Sequence, residues 1–137
     1  NNMKQKIIAL LLAGLSLFPI ATPISAKMPD NGIVAPQWEY IDSIKVDIIF
    51  SDSTATVTVT RRNQTVTKLE GTLTVYKKVG SNWIYVASNS DTSARALSID
   101  VDFDPISGVT YKAVAEITAY SANGSEPGTS SKIATCP

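Results

Sequence analysis

The sequence predicts an all-β fold, a seven-stranded antiparallel sandwich of two sheets that follows a cleaved leader. Three observations carry that prediction. From Trp38 onward apolar side chains recur at every second position, the period of a pleated strand with one face buried. Clusters of Gly, Asn, Ser, Asp and Pro break the alternation about every 8–16 residues, the spacing of short antiparallel strands joined by turns. Beyond the leader, no stretch holds the 3.6-residue period of an amphipathic helix.

The leader comes first. Lys4 and Lys6 precede an apolar run from Ile7 to Phe18, then Pro19, Pro23 and the small-residue stretch Ile24-Ser25-Ala26. Basic end, apolar middle and small polar exit are the layout of a secretory signal peptide. Cleavage is expected after Ala26, leaving residues 27–36 as a linker and 37–137 as the domain. The apolar run is about 12 residues, whereas a membrane-spanning helix needs roughly 18 or more. No second apolar segment follows, so the expectation is a chain without a membrane anchor, secreted to the extracellular space or the cell envelope. The remaining length suffices for one core. With the two leader lysines gone, 10 basic side chains face 12 acidic ones, which gives nucleic acid no electrostatic footprint.

The strands follow in order. Trp38, Tyr40, Ile44, Val46, Ile48 and Phe50 share one parity, broken at Asp42, and Ser51-Asp52-Ser53 is a turn. Ala55, Val57 and Val59 then alternate with Thr54, Thr56, Thr58 and Thr60, a β-branched strand with one apolar and one hydroxyl face. After a loop at Arg61–Thr67, the strand Leu69–Val79 turns Leu69, Leu73 and Val75 one way and Thr72, Thr74 and Tyr76 the other. Gly80-Ser81-Asn82 reads as a tight hairpin turn, with a return strand at Trp83–Ala87. The polar run Ser88–Ser93 reads as a linker to Ala94–Phe103, where Leu97, Ile99, Val101 and Phe103 share a face. Pro105 breaks the chain again. Val109–Tyr120 offers Tyr111, Ala113, Ala115, Ile117 and Ala119 to the core, Ala122–Gly128 reads as a loop, and Thr129–Ala134 is a short last strand.

From Gly108-Val109-Thr110-Tyr111 through Ala119 and on to Asn123-Gly124-Ser125-Glu126-Pro127, the pattern resembles the last two strands of an immunoglobulin-like module of the fibronectin type III kind. In that family a tyrosine near the start of the sixth strand hydrogen-bonds back to the chain before it, and Tyr111 is the matching position. More broadly, the Thr-rich second strand, the segment Tyr76-Lys77-Lys78-Val79-Gly80-Ser81-Asn82-Trp83 and the Gly-x-x-Tyr strand resemble short secreted single-domain bacterial proteins. That likeness implies a shape and no particular activity.

Catalytic equipment is sparse. Histidine is absent, which removes Ser-His and Cys-His nucleophiles and imidazole metal sites. The reading is therefore non-catalytic, with no cofactor. The run Asp100, Asp102, Asp104 resembles a calcium ladder, yet a helix–loop–helix loop starting at Asp100 needs Gly at its sixth position and an acid at its twelfth; Pro105 and Tyr111 stand there. Carboxylates two residues apart on a strand are about 7 Å apart, where two charges in water repel by only about 0.6 kcal/mol. A solvated strand face is the favoured reading of Asp100, Asp102 and Asp104, and a divalent-cation site the alternative.

Binding is the better class. Trp83 and Tyr85 alternate with Ile84 and Val86, so only one pair can face the core. Packing of Trp83 at the rim is favoured; the other choice leaves Trp83 and Tyr85 beside Tyr76 on an open sheet face, suited to stacking on a sugar or meeting a protein. The single cysteine, Cys136, has no intrachain partner and reads as an incidental thiol on a frayed tail or as the link of a homodimer. The expectation is a secreted binding or adhesion module for an extracellular protein or glycan. A self-assembling subunit using edge strands or Cys136 is the alternative.

Overall fold

The computed structural model describes residues 38–137; the expected signal peptide, its cleavage after Ala26 and the linker at 27–36 lie outside the described residues. Seven strands run in order: β1 (Ile41–Ile49), β2 (Thr54–Arg61), β3 (Val66–Val79), β4 (Asn82–Ser93), β5 (Ala96–Asp102), β6 (Thr110–Ser121) and β7 (Gly124–Thr135). The one helical element among the described residues is a 3-10 turn, Phe50–Asp52, between β1 and β2. No helix among them is long and apolar enough to cross a membrane. The strands form two sheets, β1-β2-β5 and β4-β3-β6-β7, and every neighbouring pair is antiparallel.

Period-two alternation explains the core. On β2, Ala55, Val57 and Val59 are fully buried, and their register partners on β5, Val101, Ile99 and Leu97, are nearly so. The other sheet answers with Leu69, Leu73 and Val75 of β3 and Tyr111, Ala113, Ala115, Ile117 and Ala119 of β6. Large and small side chains are interleaved in the buried layers, which keeps the interior dense. Gly71 is the extreme case: a Cβ there would stand 2.5 Å from Ile117 Cδ1 and 3.0 Å from Leu97 Cδ2. No polar or charged side chain is buried among the described residues.

Three expectations need correction. A register shift between Ile41 and Ser43 on β1 puts Ile41 inside along with Ile44 and Ile48, leaves Asp42 exposed, and accounts for the broken parity at Asp42. Ser88–Ser93 is not a linker but the second half of β4, laddered to β3 from Ser88–Thr74 to Ser93–Leu69. Ala122–Gly128 is likewise mostly strand, because β7 starts at Gly124 and pairs with β6 through Pro127 opposite Thr118.

Both misread segments are edge strands, and polarity there has a use. An edge with free backbone groups invites another strand, and charges, proline and inward-pointing polar side chains discourage it. On β4, Asn89 stands opposite the buried Leu73 and donates Nδ2–H to the Asp100 carbonyl of β5 at 3.0 Å, tying the two sheets at one open side. On β7, the Glu126 carboxylate accepts from the backbone N–H groups of Glu39 (2.6 Å), Tyr40 (2.8 Å) and Ile41 (3.2 Å), tying the other side. Arg62 completes that second clasp by donating to the Trp38 and Ile41 carbonyls at 2.9 and 3.3 Å.

Candidate functional site on the four-stranded sheet

The outward face of β4-β3-β6-β7 is ordered by strand register. Tyr85, Tyr76, Lys112 and Ile133 are successive register partners across all four strands. Lys112 sits between buried Tyr111 and Ala113, so it points outward, and its ammonium lies 4.5 Å from the Trp83 ring centroid and 5.9 Å from that of Tyr76. Trp83 pairs with Lys78, whose ammonium is 5.9 Å from the same indole. Trp83, Tyr76, Tyr85, Lys112 and Lys78 therefore form one aromatic, cationic patch. Tyr85 is 60% exposed and Ile133 56%; the Tyr85 hydroxyl and Ser88 Oγ share a hydrogen bond at 3.1 Å.

A bulge makes this possible. Between Val75 and Tyr76 the β3–β4 register slips, so Val75 faces Ala87 while Tyr76 faces Tyr85. Trp83 and Tyr85 thereby turn outward with Tyr76, Val86 packs partly on the core, and Ile84 overhangs the narrower sheet, 44% exposed. Trp83 is half-buried on the outward face, with the Lys112 ammonium over its indole; the favoured packing of Trp83 at the rim is corrected, because beyond the bulge it is Val86 that packs against the core.

Further along this face the chemistry changes. Thr74, Ser88, Val114 and Ser131 form the next rung, then Thr72 and Ser90 share a hydrogen bond at 2.8 Å. The far end holds a hollow of about 370 Å³ lined by Glu70, Thr72, Glu116, Thr118, Pro127 and Thr129 among others. Glu70 is engaged by Lys68 at 3.9 Å, and Lys68 in turn lies 4.3 Å over the Tyr120 ring. Hydrogen bonding to the Glu70 carboxylate, then desolvation, then the carboxylate charge raise the Tyr120 phenol above its ordinary 10.0.

The other candidate residues are dispersed. Asp100 and Asp102 alternate with buried Ile99 and Val101 on β5 and face water; Asp102 Oδ1 accepts from Thr54 Oγ1 at 2.8 Å. Asp104 is exposed beyond the strand. Among the described residues no three acidic or thiol side chains are grouped as a metal site. Tyr111, 1% exposed, accepts the Ile106 N–H on its hydroxyl oxygen at 2.8 Å, and its ring meets Phe103 and Phe50 at centroid distances of 5.1 and 6.0 Å. Cys136 is not on a frayed tail. Its N–H donates to the Val109 carbonyl at 2.9 Å and its carbonyl accepts from Gly108 at 2.8 Å, so the β6–β7 ladder holds it, and its side chain is partly packed on the core.

Lys112 and Ile133 are the patch residues that sequence reasoning passed over. Parity alone put Lys112 on the outward face; its neighbours on β4 and β7 required a register that no local pattern encodes.

Together these features define a two-sheet antiparallel β-sandwich with an aromatic, cationic patch on one outer face. No family model and no curated protein matches the chain. Among solved structures it is similar to a β-glucuronidase from Parabacteroides merdae, at 14% identity and a TM-score of 0.35, over 73% of this chain and 14% of that one.

Proposed function

We propose that this chain is a secreted, non-catalytic binding module of the immunoglobulin-like, fibronectin type III-like kind, which meets an extracellular protein or glycan through the outer face of its four-stranded sheet. The strand order β1-β2-β5 against β4-β3-β6-β7 and the Tyr111 hydroxyl tied back to Ile106 support the fold assignment. The observation that carries the function is the row Tyr85, Tyr76, Lys112, Ile133, joined by Trp83. Water gains nothing from a tryptophan, two tyrosines and an isoleucine gathered on one wet face, whereas a partner that covers them removes apolar area from solvent.

The test is a comparative screen. The immobilised full chain is probed with oligosaccharide and extracellular-protein libraries beside the Trp83→Ala and Tyr85→Ala variants. Ligands retained by the wild type and lost from both variants support the reading. Identical retention by all three refutes it.

A further inference from the structure

Resting on the binding face just proposed, we infer that its ligand is an acidic sugar: a glycan whose ring stacks on Tyr85 while its carboxylate or sulfate is held by Lys112 and Lys78. Three features select that chemistry. The first is unpaired charge. The ion pairs among the described residues are Arg62–Asp42 and Lys68–Glu70, so neither Lys112 nor Lys78 has a carboxylate within salt-bridge distance. Glu116, the nearest acid along β6 on this face, is four residues from Lys112, about 13 Å at about 3.4 Å per residue and beyond the Debye length of about 8 Å at physiological salt. The two ammonium groups are held in place by the Trp83 ring and stay available to an anion.

The second feature is what the rings leave open. With the Lys112 ammonium 4.5 Å from its centroid, the Trp83 face already has a cation on it. A neutral sugar stacking there would have to displace that cation and lose its attraction to the ring. An anionic substituent leaves the ammonium where it is and pairs with it, and Tyr85, 60% exposed and oriented by Ser88, remains as the free stacking surface. Hydroxyls of Thr74, Ser88 and Ser131 on the adjoining rung can donate to or accept from the sugar hydroxyls.

The third feature is size. Four strands spaced about 4.8 Å apart and three outward rungs, the two that carry the rings and lysines and the adjoining one of Thr74, Ser88 and Ser131, span roughly 14 Å by 14 Å. That is roughly 200 Å², against about 800 Å² per partner in a stable protein interface. The patch fits a short stretch of glycan, and the hydroxyl rungs and Glu70–Glu116 hollow beyond it do not extend its apolar or cationic character.

Calorimetric titration of the full chain decides the matter, using carboxylated and sulfated oligosaccharides, each beside its carboxyl-reduced or desulfated counterpart. The inference expects an acidic oligosaccharide to bind at least tenfold tighter than its neutral counterpart. It also expects a tenfold loss in Lys112→Gln and in Tyr85→Ala, and weakening as salt is raised from 50 to 200 mM. Lys78→Gln, at the hairpin rim, gives a smaller loss and serves as the second cationic variant; unchanged thermal melts and amide spectra show that each variant is folded. Neutral counterparts binding as well as the acidic sugars would overturn the inference and leave the binding face standing. So would a protein ligand that depends on Trp83 and Tyr85 with no sugar bound. Acidic sugars bound equally by wild type, Lys112→Gln and Tyr85→Ala would overturn both.

Discussion

Replacing Tyr111 by Phe removes one oxygen atom from the fold and nothing else. The hydroxyl accepts the Ile106 N–H at 2.8 Å, and Ile106 also closes a turn through its carbonyl to the Val109 N–H at 3.0 Å, with Gly108 supplying the φ of +83° that glycine adopts without strain. A donor left without its partner costs about 1–3 kcal/mol. Because the Ile106 side chain is 54% exposed, water can reach the loop, and the lower part of that range, about 1–2 kcal/mol, applies. The ring contacts with Phe103 and Phe50 survive, so the aromatic contribution of about 0.5–1.5 kcal/mol is retained; Tyr111→Leu loses that as well. In urea, with an m-value of about 1 kcal/mol/M, the midpoint of Tyr111→Phe falls by about 1–2 M and the slope is unchanged. The Ile106 amide should exchange faster in the same variant. A midpoint within about 0.3 M of wild type, or an Ile106 amide exchanging at the wild-type rate, would refute the claim that this hydroxyl pins the turn.

Three other outcomes follow from the same geometry. Gly71→Ala places a methyl group against Ile117 and Leu97 and should destabilise by about 1–3 kcal/mol, read as a lower urea midpoint, with Ile117→Val recovering part of the loss. Glu126→Ala strips the acceptor from three N–H groups at the start of β1; it should lower stability by about 1–3 kcal/mol and speed exchange of the Tyr40 and Ile41 amides while those of β3 stay protected. In an ultraviolet titration the Tyr120 phenol should ionise above 10.0, and Glu70→Gln should bring it down. The sign follows from proton binding: the folded state holds this proton more tightly, so the contribution is complete below pH 10 and fades as pH rises through the raised value.

How much was legible in the sequence depended on whether burial or register decided the matter. Ala55, Val57 and Val59 alternating with threonines identify β2 without help, because one face is oily and the other is not, and the same holds for Leu97–Phe103 and for Tyr111–Ala119. The edges hid themselves. Ser88–Ser93 has no oily face because β4 is an edge strand and its inward positions beyond Ala87 are Asn89 and Asp91, opposite Leu73 and Gly71. Pro127 and Gly128 read as loop, yet a proline is tolerated on an edge strand, and Gly128 is small because Ile41, Ile44 and Trp38 crowd it, a Cβ there lying 2.9–3.2 Å from their side chains. Lys112 and Trp83, 29 positions apart in the chain, became neighbours only through the bulge at Val75–Tyr76.

That bulge links fold to function. Without it, β4 would keep the parity set by Ala87 opposite Val75, Tyr85 and Trp83 would turn to the core side at the edge of the narrower sheet, and Ile84 and Val86 would face water. The outer face would then hold Tyr76 and two lysines with no indole to position them. A one-residue slip moves every side chain beyond it to the other face, so the single unpaired residue at Val86 decides whether this sheet is plain or carries an aromatic, cationic patch. Deleting Val86 therefore turns the bulge into a regular ladder that keeps Ala87 opposite Val75, Tyr85 opposite Tyr76 and Trp83 opposite Lys78: the patch and every Trp83-dependent interaction should survive the deletion, and their loss would refute the claim that Val86 serves only to absorb the slip.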